Sequence, residues 1–260
     1  MSNAYFQFKQ FRIDQEDCAM KVCTDACILG AWYASKLLLR DGSAISDFAG
    51  VKNILDIGSG TGLLMMMLAQ NTKADIHGIE IESGCFQQME KNINQNDWSS
   101  RITGYQGDAR NYLFPIQYDF IISNPPFYEN DLSPEKESKQ LAMHSKALNL
   151  EELVAVVVKN LMTSGTAGIM LPFHRSSAFE ILAAKKGLFK SEELKVRQTP
   201  KHNWFRSITS YSYSLSADSQ LADVRVTELT IKDAAGNYTD EFRHLLGPYY
   251  LQLPDQEVPS

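Results

Sequence analysis

The sequence contains no uninterrupted apolar run of the ~18 to 20 residues that a membrane-spanning helix requires. Its N-terminus, MSNAYFQFKQFRID, also lacks the basic segment followed by an apolar segment that is typical of a signal peptide. Together the two absences predict a cytoplasmic protein that does not associate with membranes.

Cysteine is scarce, since the 260 residues include only four, Cys18, Cys23, Cys27 and Cys85. Four cysteines are too few for a disulfide framework in a chain of this length, and no two are spaced as C-x-x-C. The first three cysteines fit no common zinc motif, and a tetrahedral site would need a fourth ligand. We therefore expect free thiols, most of them buried, and no metal site.

Positive charge is in the minority, because 25 Lys and Arg residues stand against 31 Asp and Glu residues and the net charge is −6. A protein of this charge is not attracted as a whole to nucleic acid or to an anionic membrane. With 44% hydrophobic and 22% charged residues, the chain can bury a core and is not disordered. Its length suits one large α/β domain with at most a modest appendage.

Between residue 51 and about residue 215, apolar runs of strand length alternate with stretches of helical periodicity. The predicted strands cover residues 51–58, 74–81, 102–108, 118–123 and 166–171. The predicted helices cover residues 63–70, 83–97, 150–162 and 177–186, with Ser83 and Asn149 as two of the N-caps. Two β-rich runs, 192–198 and 207–214, are predicted to form an antiparallel edge. Crossover helices between strands predict a doubly wound, mostly parallel, seven-stranded α/β sheet. After residue 214, we expect an exposed strand over 224–231, a short helix over 239–246 and a free tail from residue 254.

A glycine-dense turn, Asp56-Ile57-Gly58-Ser59-Gly60-Thr61-Gly62, follows the first predicted strand. In such sheets, ligands bind at the carboxyl ends of the strands. The glycines are spaced GxGxG, which does not match the GxGxxG fingerprint of nicotinamide cofactors. Gly58 and Gly60 let the backbone approach a ligand, and Asp56 can accept a hydrogen bond from an amino group. The turn therefore indicates a ligand with a cationic amino-acid moiety.

Carboxylates also follow the second and third predicted strands. Glu80 stands 20 residues after Gly60 and can bind both hydroxyls of a ribose. In Gly107-Asp108-Ala109, Asp108 can accept from an adenine amino group while a backbone amide faces the ring nitrogen. These groups outline an adenosine that carries an amino-acid tail, which is the shape of S-adenosylmethionine.

In this order along the chain, DIGSGTG, Glu80 and GDA resemble the class I S-adenosylmethionine-dependent methyltransferases. The resemblance covers roughly residues 20 to 215. It implies a Rossmann-like fold, S-adenosylmethionine as the cofactor and a methyl-transfer activity.

The fourth predicted strand ends in Ser123-Asn124-Pro125-Pro126-Phe127. The two prolines hold the backbone in an extended turn. The Asn124 side chain and the Pro125 carbonyl can then accept from one exocyclic amine, and Phe127 offers a face on which a planar group can stack. Asn-Pro-Pro-Phe in this place resembles the amino-methyltransferases. Two acceptors favour a pyramidal nitrogen, so that no strong base is needed.

Methylation of a cytosine carbon would instead need a cysteine nucleophile, usually one that follows a proline, and no cysteine here does.

The first 50 residues narrow the choice between a protein substrate and an RNA substrate. Protein glutamine methyltransferases of the release-factor type share Asn-Pro-Pro with an aromatic residue, but a sizeable helical domain precedes their catalytic domain. Residues 6–11, FQFKQF, and 20–32, MKVCTDACILGAW, are similar instead to F-x-F-K-Q-F and M-K-V-x-T-D-x-x-L-L-G-A-W. Those segments belong to the family that methylates N6 of the adenosine just 3′ of the anticodon in a valine tRNA. Cys23 and Cys27 fall at variable positions, and Ile28 is a conservative departure.

The resemblance implies that Lys21, Thr24 and Asp25 lie beside the methionine end of the cofactor, although the latter two could merely cap a helix. The expected catalytic residues are Asn124, Pro125, Pro126 and Phe127. The expected cofactor-binding residues are Lys21, Thr24, Asp25, Asp56, Gly58, Gly60, Glu80, Ile81, Asp108, Ala109 and Asn124.

Basic residues are concentrated between Lys185 and Arg206, where seven stand against two acidic residues. His202, Trp204 and Phe205 are interleaved with them, which suits phosphate contacts beside stacking surfaces. We predict RNA contacts for Lys195, Arg197, Lys201 and Arg206. A flap over the substrate is predicted from Lys136, Lys139, His144 and Lys146.

The residues therefore predict methyl transfer to N6 of an adenosine in RNA, with tRNA as the partner. A guanine-N2 RNA methyltransferase, a protein glutamine N5-methyltransferase and a non-catalytic RNA- or cofactor-binding module stay open as alternatives. We expect a monomer or weak dimer without an obligate protein partner. The expected organisation is an N-terminal segment packed on the cofactor site (1–50), a catalytic domain (51–215) and a C-terminal extension (216–260).

Overall fold

Strands and helices alternate along the chain in the order that its apolar runs predict. The computed structural model describes residues 3–18, 20–37, 48, 50–126, 148–213 and 224–253. Its strands are β1 (Tyr5–Gln7), β2 (Arg12–Asp14), β3 (Asn53–Ile57), β4 (Asp75–Glu80), β5 (Ile102–Gln106), β6 (Tyr118–Ser123), β7 (Leu161–Pro172), β8 (Leu188–Arg197), β9 (Arg206–Tyr213) and β10 (Arg225–Thr230). Its helices are α1 (Thr24–Leu37), α2 (Leu63–Ala69), α3 (Ser83–Asn94), α4 (Leu150–Asn160), α5 (Ser176–Ala184) and α6 (Asp240–Leu246).

The main sheet has eight strands in the order β10-β8-β9-β7-β6-β3-β4-β5. The doubly wound, mostly parallel architecture is confirmed, because β9 alone among these strands runs antiparallel to its neighbours. Two details of the prediction are wrong. The sheet has eight strands rather than seven, and the antiparallel strand lies inside it, since β10 pairs in parallel with β8 at the outer edge. A local pattern identifies a strand but not the distant strand with which it pairs.

Helices cover both faces of the sheet. One hydrophobic cluster contains the buried faces of α1, α2, α3 and α6, and the other contains those of α4 and α5. Neighbouring residues of β3 belong to different clusters, with Ile54 in the first and Leu55 in the second. This burial on both faces explains why β3 is a continuous apolar run rather than an alternating one. In the part of the chain that the structure describes, no helix is long and apolar enough to cross a membrane.

Two helix starts show how far local signals reach. Asn149 caps α4 as predicted, because its side chain accepts from the Glu152 amide at 2.9 Å and its own amide donates to Glu152 Oε2 at 2.9 Å. The prediction that Ser83 caps α3 is wrong, because Ser83 is the first helical residue. The cap is Glu82, whose longer side chain reaches the Cys85 amide at 3.0 Å.

The N-terminal hairpin of β1 and β2 packs against the last part of the described chain. Phe8 and Tyr250 form a β-bridge, and the Lys9 amide donates to the Tyr249 carbonyl at 2.9 Å. Phe8, Phe11, Tyr249 and Tyr250 belong to the same hydrophobic cluster as α1 and α2. Both terminal segments therefore pack into the hydrophobic core on one face of the main sheet. The three-part division of the chain stays a prediction. The expected free tail lies outside the described residues.

A buried hydroxyl pair joins α1 to the sheet and makes a testable contribution to stability. The Tyr33 hydroxyl lies 3.0 Å from Ser210 Oγ, and both residues are buried. Tyr33→Phe should lower the free energy of unfolding by about 1 to 2 kcal/mol, because the Ser210 hydroxyl loses its buried partner. Adding Ser210→Ala should recover part of the loss. The measurement is urea unfolding, with Tyr238→Phe on a more exposed ring as the control. If Tyr33→Phe and Tyr238→Phe lower the free energy of unfolding by the same amount, the prediction is wrong.

Candidate functional site

The carboxyl ends of β3, β4, β5 and β6 open into one cleft at a single edge of the sheet. The chain returns to the far side of β3 when it reaches β6, so this edge contains the switch point where ligands of such sheets bind. The lining includes most of the residues predicted for the site: Gly58, Gly60, Glu80, Ile81, Asp108, Ala109, Asn124, Pro125 and Pro126. Other lining residues come from the N-terminal segment, from the start of α3, from the strand ends and from the position before the N-cap of α4: Cys18, Met20, Ile57, Ile79, Glu82, Cys85, Gly107, Ser123 and Leu148.

The glycine turn after β3 forms the floor of the cleft. Gly58 has a φ of 75° and Gly60 a φ of 54°, which is the left-handed region that side chains rarely adopt. A Cβ atom placed on Gly58 would meet nothing within 4 Å. The turn therefore leaves room for a ligand to lie against the backbone, as the sequence predicts.

Glu80 is held in place at the end of β4 by backbone amides. Its Oε2 accepts from the Gly60 amide at 2.9 Å, and its Oε1 accepts from the Glu82 amide at 2.9 Å. Each oxygen keeps a further lone pair, and the residue lines the cleft. A carboxylate fixed in this way can accept two neighbouring hydroxyls, which supports its predicted role toward a ribose.

Asp56 lies within β3, behind the turn, and does not line the cleft. It is fully buried, and neither carboxylate oxygen has a hydrogen-bond partner among the residues that the structure describes. Burial, together with the charge of Glu80, raises the pKa of Asp56 to about 8. A buried carboxyl without a partner is costly unless a cation arrives nearby. This orphaned group fits a ligand that carries an ammonium group, although direct contact stays a prediction.

Asp108 already has a partner that the sequence reading missed. Arg110 Nη2 lies 2.7 Å from Asp108 Oδ2, and its Nη1 lies 3.1 Å from Glu152 Oε1 on α4. Hydrogen bonds from Arg110 lower the pKa of Asp108, so that this side chain stays an ionised acceptor at the rim of the cleft. The sequence does contain a signal for this ion pair, because Arg110 stands only two residues after Asp108. The predicted contact with an adenine amino group stays a prediction.

The Asn-Pro-Pro segment begins where β6 ends beside β3. Ser123 Oγ donates to the Ile57 carbonyl at 2.8 Å and ties the two strand ends together. Asn124, Pro125 and Pro126 all line the cleft, and Pro125 is buried. Phe127, the predicted stacking residue, lies outside the described residues, as do Lys136, Lys139, His144 and Lys146 of the predicted flap.

The residues expected beside the methionine end of the cofactor are not among those that line the cleft. The Lys21 ammonium donates to the Gln15 carbonyl, and Thr24 begins α1. Asp25 Oδ2 lies 2.7 Å from Arg206 Nε. Their role in cofactor binding stays a prediction.

The predicted RNA-binding residues surround the loop of residues 198–205 between β8 and β9. Ser123 pairs with Ile169 of β7, and Arg206 pairs with Pro172 farther along that strand, so the loop lies at the same edge of the sheet as Asn124. The Arg197 guanidinium lies 4.5 Å from the centre of the Trp204 ring. Lys201 is exposed on the loop, and the Lys195 ammonium lies 5.9 Å from the centre of the Phe173 ring. None of these four basic residues lines the cleft.

The expectation of free thiols is wrong for one pair of cysteines. Cys18 and Cys85 form a disulfide, and both line the cleft. Cys23 is free and exposed, and Cys27 is free and buried. The sequence offered no signal for the pairing, because 67 positions separate the two residues and only the folded chain brings them together.

Comparisons with known proteins agree with this geometry. A family model for the methyltransferase small domain matches residues 32–167. The tRNA1(Val) (adenine(37)-N6)-methyltransferase of Dyadobacter fermentans is 35% identical over 253 residues, which cover 96% of this chain and 99% of the relative. The protein of the same name from Christiangramia forsetii is 34% identical over 258 residues, which cover 97% of this chain and 100% of the relative.

Solved structures share the fold at low sequence identity. A predicted O-methyltransferase of Agrobacterium tumefaciens superposes with a TM-score of 0.58 at 17% identity, covering 86% of this chain and 95% of its own. A Listeria monocytogenes protein assigned to the class I S-adenosylmethionine-dependent methyltransferases has a TM-score of 0.56 at 15% identity, covering 83% of this chain and 67% of its own. At such identities the likeness concerns the fold alone.

The buried carboxyl of Asp56 makes a pH dependence testable. Its pKa is about 8 in the folded protein, whereas an aspartate in an unfolded chain has a pKa of about 4. Between these values the folded state retains a proton that the unfolded state has released, so the contribution of Asp56 to stability falls as the pH rises. Asp56→Asn removes this titration. The stability of the variant relative to the parent should therefore rise between about pH 5 and about pH 8, by at most about 1.4 kcal/mol per pH unit.

Urea unfolding of the ligand-free protein at several pH values measures this difference. Asp75→Asn, at an exposed position at the start of β4, controls for the loss of one carboxylate. If the relative stability of Asp56→Asn stays constant or falls with pH, the assignment of a raised pKa is wrong.

Proposed function

The chain belongs to the tRNA1(Val) (adenine(37)-N6)-methyltransferase family of class I S-adenosylmethionine-dependent methyltransferases, and we propose that it methylates N6 of adenosine 37 in a valine tRNA. The observation that carries the proposal is the position of Asn124 and Pro125. Both line the same cleft as the glycine turn and Glu80, at the switch point of the sheet. This position supports the proposal, because an acceptor pair formed by Asn124 and Pro125 would lie beside the groups that fit the cofactor.

Asn124 and Pro125 address the main chemical difficulty of this substrate. The lone pair of an adenine amino group is delocalised into the ring, which makes the nitrogen a poor nucleophile. The Asn124 amide oxygen and the Pro125 carbonyl would each accept one N–H of that amine and favour a pyramidal nitrogen with an available lone pair. S-adenosylmethionine, when bound, supplies an electrophilic methyl group on its sulfonium. Orientation and electrostatics then provide most of the catalysis, and the amine proton can leave to water.

Two features of the chain restrain the backbone around these acceptors. Pro125 and Pro126 each fix one φ angle, and the bond from Ser123 to the Ile57 carbonyl holds the end of β6 against β3. Because the acceptors are positioned in advance, little reorganisation is needed during the reaction. Phe127 is proposed to stack on the target base.

We propose that the tRNA lies across the 198–205 loop and reaches the cleft with one unpaired base. Arg197 and Trp204 form a cationic and aromatic pair there, and Lys201 is exposed beside them. An anticodon-loop base can be extruded at a cost of only a few kcal/mol, because it is not paired. The net charge of −6 implies few phosphate contacts and therefore weak binding that depends steeply on salt. We also propose a cytoplasmic location and a monomer or weak dimer.

Mapping of modified nucleosides by mass spectrometry tests the substrate directly. Bulk tRNA from cells with and without the protein should differ by N6-methyladenosine at one position of a valine tRNA. In a parallel assay, labelled cofactor is offered with total tRNA or with ribosomal protein. Label in ribosomal protein would contradict the proposed activity and favour a protein glutamine methyltransferase. N2-methylguanosine in the tRNA would contradict it and favour a guanine-N2 methyltransferase. An absence of transfer to either substrate would favour a binding module.

Asn124→Ala should reduce turnover by about 100-fold or more, because one of the two acceptors on the reacting amine is lost. Affinity for S-adenosylmethionine should change little. Single-turnover methyl transfer and equilibrium dialysis measure the two quantities. Asn94→Ala, at the exposed end of α3, is the matched control and should retain activity. A loss of cofactor affinity that accounts for the whole loss of activity would show that Asn124 serves the cofactor rather than the amine.

Lys201→Ala should weaken tRNA binding and reduce by about one the slope of log affinity against log salt concentration, because one phosphate contact is lost. The comparison is Lys73→Ala, which removes another exposed lysine just before β4, at the opposite edge of the sheet. Binding is measured by filter retention over a range of salt concentrations. The proposed surface is wrong if the two variants show the same salt slope as the parent.

A further inference from the structure

One wall of the cofactor cleft is built from two segments that are distant in sequence. Residues 14–18, which we call the arm, leave β2 and run along α3, with contacts from Asn92 near the end of the helix to Cys85 near its start. The arm contributes Cys18 to the lining, Met20 follows it, and α3 contributes Cys85. Because Glu80, which is predicted to bind the ribose, lies three residues before the start of α3, this wall borders the part of the cleft expected to hold that ribose.

The arm is anchored firmly at its beginning. The Asp14 amide donates to Asn92 Oδ1 at 3.0 Å, and Asn92 Nδ2 donates to the Asp14 carbonyl at 2.9 Å. Asn92 is fully buried and also donates to the Thr61 carbonyl in the glycine turn at 2.9 Å. These hydrogen bonds do not involve either cysteine, so they hold Asp14 whether or not the disulfide is present.

The far end of the arm is held by weaker contacts. The Asp17 amide lies 3.4 Å from Gln88 Oε1, which is a long hydrogen bond. The ion pair of Asp17 with Lys91 is solvent-exposed, with side chains 52% and 60% accessible. Such pairs contribute little to stability. The arm nevertheless approaches α3 closely, since a Cβ on Gly84 would lie 3.0 Å from the Asp17 carbonyl oxygen. The Cys18–Cys85 disulfide is thus the strongest link between the end of the arm and α3.

We propose that Cys18 and Cys85 form a thiol–disulfide exchange site that reacts with soluble low-molecular-weight disulfides and sets how firmly the cleft wall holds S-adenosylmethionine. In the forward direction, one protein thiolate attacks the soluble disulfide and releases one small thiol. The second protein thiolate then attacks the mixed disulfide and releases the other small thiol. Two protein thiols are oxidised, one soluble disulfide is reduced by the same two electrons, and the two thiol protons pass to the released thiolates.

The disulfide acts by ordering the wall before the cofactor binds. With the bond formed, Cys18 and Met20 stay beside the cleft, and little conformational entropy is lost on binding. With the bond reduced, the exposed ion pair and the long hydrogen bond of Asp17 are the polar contacts that still join the end of the arm to α3 among the described residues. The dissociation constant for S-adenosylmethionine should then rise by about tenfold.

The test uses the full chain and S-adenosylmethionine alone, so that it does not depend on the RNA substrate. Protein is equilibrated with oxidised glutathione or with dithiothreitol, freed of reagent and divided. One portion is denatured for titration of thiols, and the other is used for calorimetric titration of the cofactor. We expect two reactive thiols and the tighter dissociation constant after glutathione, and four thiols and the weaker constant after dithiothreitol.

Variants separate the pair from the other cysteines. Cys18→Ser and Cys85→Ser should bind the cofactor with the weaker constant under both conditions, while thermal unfolding verifies that they are folded. Cys23→Ser removes the free, exposed cysteine and should keep the full response to glutathione. Four reactive thiols after glutathione, or one dissociation constant for both oxidation states of the parent, would overturn the proposal. Tight cofactor binding without methyl transfer to tRNA would instead count against the proposed function alone.

Discussion

The parallel pairing of β3 with both β4 and β6 is the constraint on which the rest of the site depends. In this register Ile57 lies beside Ile79 on one side and Ser123 on the other. The residues that follow each of these positions, Gly58, Glu80 and Asn124, are consequently brought to one edge. Because all three strands point the same way, a glycine turn, a carboxylate and an amide that are far apart in sequence share one cleft.

That arrangement places polar groups where a folded chain would otherwise avoid them. Glu80 is nearly buried but receives two backbone amides, whereas Asp56 is fully buried and receives none from the described residues. The difference in support between the two carboxyl groups fits the roles that the sequence predicts for them. A carboxylate that must hold a fixed orientation is supported by the backbone, and a carboxyl without a partner suits a cation that the chain itself does not supply. The Asp56 carboxyl therefore lacks a hydrogen-bond partner among the described residues until a ligand supplies one.

The distribution of charge reconciles an acidic protein with a nucleic-acid substrate. The net charge of −6 describes the whole chain, and several acidic groups belong to the cleft and its rim. Basic and aromatic side chains lie together around the 198–205 loop, at the same edge as the cleft. Not all of this positive charge is free to contact phosphate groups, since Arg206 pairs with Asp25. The proposed RNA surface is accordingly small and next to the predicted catalytic residues, and recognition by it would not depend on the field of the whole molecule.

Much of the fold and most of the cleft could be predicted from the sequence because the relevant signals are local. Hydrophobic periodicity located the strands of the main sheet, and Gly58, Glu80 and Asn124 were identified by their places at strand ends. The tertiary structure alone decided the pairing of β10 with β8, the disulfide between Cys18 and Cys85, and the contacts of Arg110 and Arg206. It also decided that Lys21, Thr24 and Asp25 do not line the cleft. A sequence pattern records side-chain types at short spacings, whereas contacts between distant segments depend on how the complete chain packs.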